Sequence, residues 1–511
     1  MTEDLTRRRL FGLAGASAAG AAGLGLSGCA PGAVKQSAAL VTTTAATGQG
    51  FISRPDLTPP QITLTRHAGA TSRYIFLNAP YSGPGKGGSI ILDPHGKLIW
   101  FGPNTATEHR MDVNVQTYQG KPVLTWFQGI LTAEGYGLGT AVIADSSYKV
   151  QHVVKAGNGL MADHHEFAIT AQGTALITAY RKHAGVDLST FNGPKSGVIV
   201  SGVAQEIDIA TGKVLFEWDC YNPAHPSMGI ALHESHQILQ KGEGTDARPF
   251  NYVHINSITE FDSDHLLISC RNTWALYLVD KTTGKIVWRM NGKRSDFHMG
   301  PGTAYFWQHH ARLHGPGLLS LFDNGANPPK QIEEHNSRGL LLNFDTTAKT
   351  VTLHKQYLHP GSPPVLSGAM GSIQTLPSGG VFVGWGTTPR FSEFSASGQL
   401  LLDGSIELHA PSYRAFSQNW DGHPTELPAV AARSRTGGGA TVYASWNGAT
   451  NVATWTVFAG KTAGSLAHIG TGNRTGFETA IVVQNAGPYF AVQANDRSGH
   501  ALSKSAPVRI A

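Results

Sequence analysis

Short segments of alternating apolar and polar residues, joined by polar turns, recur along most of the chain. Residues 252–271, YVHINSITEFDSDHLLISCR, show the pattern most fully, because a histidine opens an alternating segment that leads through Asp262-Ser263-Asp264 into an apolar run. Alternation on both sides of such a turn is typical of a β-hairpin. The same frame surrounds His165 and His309, so the sequence predicts three hairpins that each begin at a histidine.

Further hairpins extend this pattern into a repeat. Similar segments without the histidine occur at residues 111–126 and 372–383, and other hairpins are predicted at residues 89–101, 206–218 and 278–288. Each unit therefore has about four strands, which is typical of a propeller blade. Residues 57–410 have room for about six units, so we predict a six-bladed β-propeller, with five or seven blades as alternatives.

The pattern changes after residue 410. Residues 411–511 contain alternating segments separated by Gly and Asn turns, and they include no cysteine. This pattern predicts a β-sandwich of the immunoglobulin or fibronectin III type, with a structural or spacer role. The chain is thus expected to be all-β, and its 61 glycines and 27 prolines with 14% charged residues fit a turn-rich β protein.

The N-terminus has the features of an export signal. Arg7, Arg8 and Arg9 precede a segment rich in Ala, Gly and Leu, which ends at Leu26-Ser27-Gly28-Cys29. The arginines indicate a twin-arginine signal, and the last four residues resemble a bacterial lipobox. We therefore expect residues 1–29 to direct export, a lipid on Cys29 to anchor the protein to the membrane outside the cytoplasm, and residues 30–56 to be a flexible linker. The alternative is an ordinary cleaved signal.

Charge and cysteine content narrow the possible partners. The formal net charge of +5 is small for 511 residues and no basic run stands out, so a nucleic-acid partner is not predicted. Beyond Cys29 the cysteines are Cys220 and Cys270, which could pair across neighbouring blades or remain buried thiols. The long loop at residues 219–251 contains a segment, residues 230–239, that could be helical.

The three histidines at one repeat position carry the candidate chemistry. In a propeller, equivalent positions of the innermost strands approach one axis, so His165, His254 and His309 are expected to meet in one pocket. They could hold a zinc or iron ion, or they could surround an oxyanion such as sulfate. Asn256 and Arg271 in the same hairpin favour the anion, because amide and guanidinium donors suit an anion better than a cation. The neighbouring carboxylate of Glu166 is expected on the opposite strand face from His165.

Several short motifs together resemble one known family. They are His165-Glu166-Phe167, His254-Ile255-Asn256, Gln308-His309 with Ala311-Arg312, Phe322-Asp323-Asn324-Gly325, Ser337-Arg338-Gly339, Val383-Gly384-Trp385-Gly386 and Phe391-Ser392-Glu393-Phe394. With these motifs the chain resembles the bacterial arylsulfotransferases, in particular the actinobacterial-type branch with a C-terminal sandwich. The resemblance covers most of the chain from about residue 60 and implies a six-bladed propeller enzyme.

The resemblance also implies a reaction and roles for individual residues. Members of the family move a sulfuryl group from an aryl sulfate donor to a phenolic acceptor through a covalent sulfohistidine, without the nucleotide donor PAPS, a cofactor or a metal. His309 matches the nucleophile, although the adjacent His310 is an alternative that the repeat frame and Gln308 disfavour. The residues that match binding of the sulfuryl oxygens and proton transfer are His165, His254, Asn256 and Arg271, and those that match substrate binding are Arg312, Arg338 and Thr387.

Two other classes of function remain open from the sequence. One is a metal-dependent propeller enzyme that uses His165, His254 and His309 as ligands, and the other is a non-catalytic binding module at the cell surface. Aromatic residues that could either stack on a substrate or form the propeller core are Trp126, Phe127, Trp274, Trp307 and Trp385.

Overall fold

The computed structural model describes residues 41–45, 50–79, 87–327, 331–333, 336–407, 411–484 and 487–511. The predicted signal at residues 1–29, including Cys29, and most of the predicted linker lie outside the described residues. The described part is all-β, as predicted. Its helices are four single 3-10 turns, at Ser189–Phe191, Pro226–Met228, Leu232–Glu234 and Arg271–Thr273. No helix in this part of the chain is long and apolar enough to cross a membrane.

Residues 41–418 form five main sheets, numbered 1 to 5. Their strands pair antiparallel, except that Phe250–Asn251 in sheet 2 and His298–Met299 in sheet 4 each pair in parallel. Sheet 1 contains Tyr74–Ala79, Gly88–Leu92, Leu98–Pro103 and Phe416–Gln418. Sheet 2 contains His109–Tyr118, Lys121–Leu131, Gly137–Ala144, Val150–Val154, Ala162–Ile169, Thr174–Val186, Gly197–Asp208, Val214–Asp219 and Phe250–Asn251. Sheet 3 contains Ile255–Glu260, His265–Cys270, Ala275–Asp280 and Ile286–Met290.

Sheets 4 and 5 are formed mainly by the residues that follow sheet 3, and sheet 5 also includes the first two strands of the described chain. Sheet 4 contains His298–Met299, His309–Leu313, Leu318–Asp323, Arg338–Asp345 and Thr350–Leu358. Sheet 5 contains Val41–Ala45, Ile62–Arg66, Ser372–Thr375, Val381–Gly384, Arg390–Phe394 and Leu400–Ile406. A separate two-stranded sheet pairs Ala326–Asn327 with Gln331–Ile332.

Each predicted histidine hairpin forms. Ala162–Ile169 pairs with Thr174–Val186, Ile255–Glu260 with His265–Cys270, and His309–Leu313 with Leu318–Asp323. The hairpins predicted at residues 89–101, 111–126, 206–218, 278–288 and 372–383 also form. The predicted helix at residues 230–239 is limited to the single turn Leu232–Glu234.

The ends of this part of the chain are paired with each other's sheets. Phe416–Gln418 pairs with the first strand of sheet 1, and Ile62–Arg66 pairs with Leu400–Ile406 in sheet 5. The first of these pairings lies beyond the boundary that we predicted after residue 410. Both pairings tie late strands to early ones through main-chain hydrogen bonds.

Apolar clusters join each sheet to the next. Ile99 and Trp126 belong to a cluster between sheets 1 and 2, and Leu276 and Leu340 to one between sheets 3 and 4. Other clusters connect sheet 2 with sheet 3, sheet 4 with sheet 5, and sheet 5 with sheet 1. The five sheets therefore pack in cyclic order.

Sheet 2 itself consists of two four-stranded meanders and the short strand Phe250–Asn251, which pairs with the second of them. They are joined by a single residue pair, Ala162 with Gly139, and an apolar cluster that includes Ile143 and Ile177 lies between them. The two meanders of sheet 2 thus pack against each other through an apolar cluster, as two neighbouring sheets do.

The C-terminal residues form two more antiparallel sheets around their own apolar cluster. Sheet 6 contains Ala429–Ser434, Ala440–Ser445 and Glu478–Val483. Sheet 7 contains Thr454–Thr462, Ser465–Asn473, Tyr489–Asn495, Ala501–Lys504 and Val508–Arg509. Val442 of sheet 6 and Trp455 and Phe490 of sheet 7 are buried in the shared cluster.

Cys220 and Cys270 are free, buried thiols. Of the two possibilities left open by the sequence, the structure thus shows the unpaired one. Burial raises the pKa of both thiols, so both are protonated at neutral pH.

Candidate functional site

The structure brings the three predicted histidines together. Nε2 of His254 lies 3.2 Å from Nε2 of His165, and the ring centroids of His165 and His309 are 6.5 Å apart. One ring nitrogen of each histidine lies within 4.8 Å of the others, and all three residues are buried. We call these residues the histidine trio.

Irregular strand pairing at the start of each hairpin positions the trio. The strand register shifts between Ala162 and Phe167, between Ile255 and Ser257, and between His309 and Arg312. Such bulges turn side chains away from the regular alternation of a strand and often occur at functional sites.

Hydrogen-bond partners determine the tautomers of His254 and His165. Asn251 Oδ1 accepts the main-chain N–H of His254 at 3.0 Å, so Asn251 Nδ2 is the donor to His254 Nδ1 at 2.7 Å. The proton of neutral His254 is therefore on Nε2, and it is donated to His165 Nε2. His165 in turn donates Nδ1–H to Asp163 Oδ2 at 2.7 Å.

The resulting chain of hydrogen bonds runs in one direction, from Asn251 through His254 and His165 to Asp163. The Asp163 carboxylate also accepts hydrogen bonds from the main-chain N–H of Gly137 and from the Thr178 hydroxyl. Although burial opposes ionisation, His165 and His164 lower the pKa of Asp163 well below its usual value. The chain thus ends at a buried anion.

His309 is held in the tautomer that leaves a lone pair on Nε2. Asn324 Nδ2 donates to the main-chain carbonyls of Ser367 and Met370, so Asn324 Oδ1 accepts Nδ1–H of His309 at 2.7 Å. The main-chain N–H of Met370 points to His309 Nε2 at 3.3 Å. Both contacts are consistent with an unprotonated Nε2.

Burial keeps all three imidazoles neutral. It lowers the pKa of His165 to about 4 and lowers the pKa values of His254 and His309 well below the usual range. The nearby Arg271 guanidinium contributes to the lowered pKa of His254 and His309. A neutral imidazole can act as a nucleophile at neutral pH through the lone pair of its unprotonated nitrogen, here once a substrate displaces the 3.3 Å contact of Met370 N–H with His309 Nε2.

Arg271 and Asn256 carry unpaired polar atoms beside the trio. Arg271 stacks on Trp307, with its guanidinium carbon 4.8 Å from the ring centroid, and donates to Asn327 Oδ1 and to the Gly368 carbonyl. Burial lowers its pKa to about 10, so Arg271 remains a cation at neutral pH. Within the described residues, Arg271 Nε and Asn256 Oδ1 are buried without a hydrogen-bond partner. Buried orphan atoms of this kind call for an unseen partner such as water or a ligand.

The other predicted substrate-binding residues have protein partners. Arg312 forms an ion pair with Glu166 at 2.7 Å, and Arg338 forms one with Asp323 at 2.9 Å. Thr387 shares a 3.1 Å hydrogen bond with the Ser367 hydroxyl. In the described part of the chain, neither arginine hydrogen-bonds to the trio, whereas Thr387 is linked to it through Ser367 and Asn324.

Glu166 belongs to a buried charge cluster beside the strand that carries His165. Arg414 contacts Asp112 at 2.9 Å and Glu166 at 3.3 Å, and its Nη2 donates to the main-chain carbonyl of His165 at 2.6 Å. Burial raises the pKa of Asp112 to about 6, whereas the charges around Arg414 raise its pKa further above the usual range. This cluster supports the strand that carries His165.

His310, the alternative to His309, is directed elsewhere. Its Nδ1 lies 3.1 Å from the carbonyl of Ile373, and its ring contacts Phe416. The left-handed backbone at His310, with φ of 57°, separates the directions of the two neighbouring side chains.

The candidate stacking residues divide into two groups. Trp126 donates to Gln128, Trp385 donates to Ser392, and Phe127 packs in a core cluster, so these three stabilise the fold. Trp274 and Trp307 lie with their centroids 5.4 Å apart, and the indole N–H of each is buried without a partner in the described structure. This second group adjoins Arg271.

The hydrogen-bond directions disfavour a metal site formed by His165, His254 and His309. A three-histidine metal site needs an unprotonated nitrogen from each ring. His254 instead presents Nε2–H, because Asn251 donates to its other nitrogen. The side-chain set therefore suits an anion better than a metal ion.

Sequence reasoning missed several residues of the site. Asp163 stands two residues before His165 on the same strand, and this spacing was a usable signal. Asn324 lies within a quoted motif, but nothing in the sequence indicated its contact with His309. Tyr413 and Arg414 both contact the main-chain carbonyl of His165, although they lie past the predicted domain boundary.

The chain can be compared with known proteins by its sequence and by its structure. The sequence profile of the family described as Arylsulfotransferase (ASST) matches residues 114–407, a range that includes the trio. A search of curated proteins finds no match.

Three solved structures illustrate the structural similarity. A protein of unknown function from Bacteroides caccae has 10% identity and a TM-score of 0.40, with 68% of this chain and 98% of that chain covered. The β-propeller domain of Myceliophteria thermophila Cps50 (Swd1) has 11% identity and a TM-score of 0.30, with 63% and 93% covered. Apo AztD from Citrobacter koseri has 12% identity and a TM-score of 0.27, with 68% and 98% covered. These values are too low to bear on function.

Proposed function

Because the chain belongs to the arylsulfotransferase (ASST) family, we propose that it moves a sulfuryl group from an aryl sulfate ester to a phenolic acceptor, without the nucleotide donor PAPS. The observation that carries the proposal is the state of His309. Its Nδ1–H is held by Asn324, and its neutral Nε2 keeps a lone pair beside two other histidines and an arginine.

In the first half-reaction, His309 Nε2 attacks sulfur and the aryl–oxygen bond to sulfur breaks. The products are a sulfohistidine and a phenolate, so the reaction is ping-pong. Developing charge on the sulfuryl oxygens is stabilised by Arg271 and by Nε2–H of His254, which are preorganised in a buried site. The Asn256 side chain borders the same region through its hydrogen bond to the carbonyl of Gln308.

In the second half-reaction, the acceptor phenol attacks the sulfohistidine and gives up its proton. His165 becomes the base when Nε2–H of His254, which hydrogen-bonds to His165 Nε2 in the resting site, turns to the sulfuryl oxygens. This frees the lone pair on His165 Nε2 while Asp163 holds its Nδ1–H. The phenol proton moves to His165, and the Asp163 carboxylate stabilises the imidazolium, as in a catalytic triad. Because the pKa of His165 is about 4, the proton then leaves His165 for solvent, where the phenolate of the first half-reaction can take one up, so the cycle balances and His165 returns to its neutral state.

Trp274, which keeps 9% of its surface exposed, is suited to contact the aryl group, and the fully buried Trp307 packs beside it. Trp274 packs edge-on against Phe306 with centroids 5.0 Å apart, and stacks with His236 on its other side. The adjacent Arg271 can face the sulfate while the aromatic surface faces the ring, since aromatic rings favour offset or edge contacts. Thr387 contributes to this region indirectly, by holding Ser367.

Trapping the intermediate tests the proposal. The purified protein is incubated with 4-nitrophenyl sulfate, without acceptor, and examined by intact mass and peptide mapping. We expect a sulfuryl adduct on His309 that disappears when phenol is added. His309→Asn should abolish the adduct and turnover, whereas the matched variant His310→Asn should retain both. An adduct at another residue, or turnover that persists in His309→Asn, would overturn the proposal.

We also propose that residues 57–410, with the closing strand Phe416–Gln418, form a six-bladed β-propeller. The support is the cyclic packing of five sheets, one of which contains two meanders. For residues 419–511 we propose an immunoglobulin- or fibronectin III-like β-sandwich, supported by the packing of sheets 6 and 7 around one cluster.

For localisation, we propose export through the twin-arginine route and a lipid on Cys29. The sequence motifs alone support this. Metabolic labelling with a radioactive fatty acid should mark the wild-type protein and leave Cys29→Ser unlabelled and released from membranes. Equal membrane association of both would contradict the anchor.

A further inference from the structure

A large polar cleft lies apart from the histidine trio. Its volume is about 850 Å³, and its walls come from sheet 1 and its turn at Asp93, from Arg66 of sheet 5, and from the loops of sheets 6 and 7 around Asn451, Arg474 and Arg497. This volume is in the upper part of the range of about 300 to 1,000 Å³ that is usual for ligand sites. None of the cleft residues belongs to the trio or contacts it.

Four cations line the cleft, and three of them are fixed by main-chain carbonyls. Arg66 donates to the carbonyls of Thr71, Pro94 and Ala70, and Lys97 donates to that of Thr475 at 2.8 Å. Arg474 donates to the carbonyls of Gly476 and Ala449. A carbonyl positions a cation without neutralising its charge. The fourth cation, Arg497, is exposed at the rim of the cleft.

The charges of these cations are left available. Within the described chain, no ion pair joins Arg66, Lys97, Arg474 or Arg497 to a carboxylate. The most strongly desolvated is Arg474, whose pKa is lowered by burial, although the nearby Asp93 carboxylate acts in the opposite direction. A partly buried guanidinium without an ion pair favours an anionic ligand, because the ligand would restore the lost solvation.

The two carboxylates in the cleft, Asp93 and Asp496, accept hydrogen bonds from main-chain N–H groups of their own turns. Asp93 Oδ1 accepts the main-chain N–H groups of His95 and Lys97. Asp496 Oδ1 accepts those of Ser498 and His500. With four cations and two carboxylates, the lining has an excess of positive charge.

The rest of the lining is rich in hydroxyl and amide groups, among them Ser72, Tyr74, Asn451 and Ser498. Such groups match the hydroxyls of a sugar. A single-stranded nucleic acid would require several aromatic platforms for its bases, and Tyr74 is the one Phe, Trp or Tyr residue among those that line the cleft. An acidic peptide would call for apolar side-chain pockets, and the lining includes few apolar residues.

We propose that this cleft binds an acidic oligosaccharide, whose sulfate or carboxylate groups contact Arg474, Lys97 and Arg497 and whose hydroxyls contact the polar lining. The inference does not depend on the sulfuryl-transfer reaction, because the cleft shares no residue with the histidine trio. It assigns a binding role to the junction between sheet 1 and the C-terminal sheets.

Calorimetric titration of the purified protein tests the proposal. The probes are a heparin-derived tetrasaccharide, tetragalacturonate, neutral cellotetraose and an oligoglutamate peptide of matched charge. We expect one or both acidic sugars to bind at least roughly tenfold more tightly than cellotetraose, since each charge-assisted hydrogen bond contributes substantially. Added salt should weaken this binding. The two acidic sugars distinguish sulfate from carboxylate recognition.

Variants locate the binding. Lys97→Ala/Arg497→Ala changes two exposed residues and should weaken binding of the acidic sugar at least roughly tenfold, with Arg474→Gln as an independent second variant. The matched control is Arg433→Ala, an exposed arginine of sheet 6 outside the cleft. Sulfuryl transfer measured on the same samples should be unchanged. Absence of binding by either acidic sugar, equal binding of cellotetraose or the peptide, or unchanged affinity in the cleft variants would each overturn the proposal.

Discussion

Asp163→Asn tests the proposed base directly, because it removes the charge that stabilises protonated His165. The amide can keep its oxygen towards His165 Nδ1, which lies 2.7 Å from the carboxylate. In the wild-type protein the carboxylate accepts a hydrogen bond from the main-chain N–H of Gly137. In the variant the NH₂ group faces that N–H, so two donors lie opposite each other. This mismatch should lower the free energy of unfolding by about 1–3 kcal/mol, and the protein should remain folded.

The expected kinetic effect follows from the lost charge. With charge centres about 4 Å apart and an effective dielectric constant of about 20, the carboxylate stabilises the imidazolium by about 4 kcal/mol. Since about 1.4 kcal/mol corresponds to a factor of ten in rate, the acceptor step should slow by roughly a thousandfold. The attack of His309 on the donor does not require the imidazolium of His165, so the first half-reaction should change far less.

Rapid-mixing kinetics with 4-nitrophenyl sulfate separate the two steps. The burst of nitrophenolate reports sulfohistidine formation, and the steady state with a series of phenols reports the acceptor step. The defect of Asp163→Asn should shrink for acidic phenols and at high pH, where the acceptor is already ionised. Thr178→Val is the control, because it removes a hydrogen bond to Asp163 but keeps the charge. An equal loss in both half-reactions, or a defect that does not vary with the acceptor's pKa, would refute the role of Asp163.

Three further predictions concern the buried charges and the aryl site. Arg414→Met should lower the free energy of unfolding in urea by about 3–5 kcal/mol, because it leaves two buried carboxylates without this partner, and a loss below about 1 kcal/mol would contradict this. The pKa of Asp112 is raised from 3.8 to about 6, so the native state holds a proton that the unfolded state releases. The contribution of Asp112 to stability therefore falls as pH rises from about 4 to 6, and Asp112→Asn should remove that component from melting temperatures measured across this range; an unchanged pH slope would count against it. Trp274→Ala should raise KM for aryl sulfates about threefold to tenfold in steady-state assays, from the usual strength of aromatic contacts, and an unchanged KM would exclude Trp274 from the aryl site.

Parts of the site could be predicted because strand geometry is local. Alternation and turn residues place His165, His254 and His309 at equivalent hairpin positions, and the structure brings them together. The contact between Asp163 and His165 also joins residues two apart on one strand, so its signal is local in the sequence.

Other parts depend on contacts between distant segments. Asp112 and Arg414 lie near opposite ends of the repeats, and their ion pair forms only when the five sheets pack in cyclic order. Nothing in the sequence indicated that Arg312 would be held by Glu166 or that Arg338 would be held by Asp323.

The sequence by itself determined the all-β character, the hairpins, the position of the trio in the repeat and the motifs of the family, because each depends on local alternation or on residue identity. The tertiary structure decided which nitrogen of each histidine carries the proton, which tryptophans lie beside Arg271, and that Cys220 and Cys270 remain thiols. These outcomes depend on the partner that each buried polar group finds. Such partners lie on separate strands, and only packing brings them within hydrogen-bonding distance.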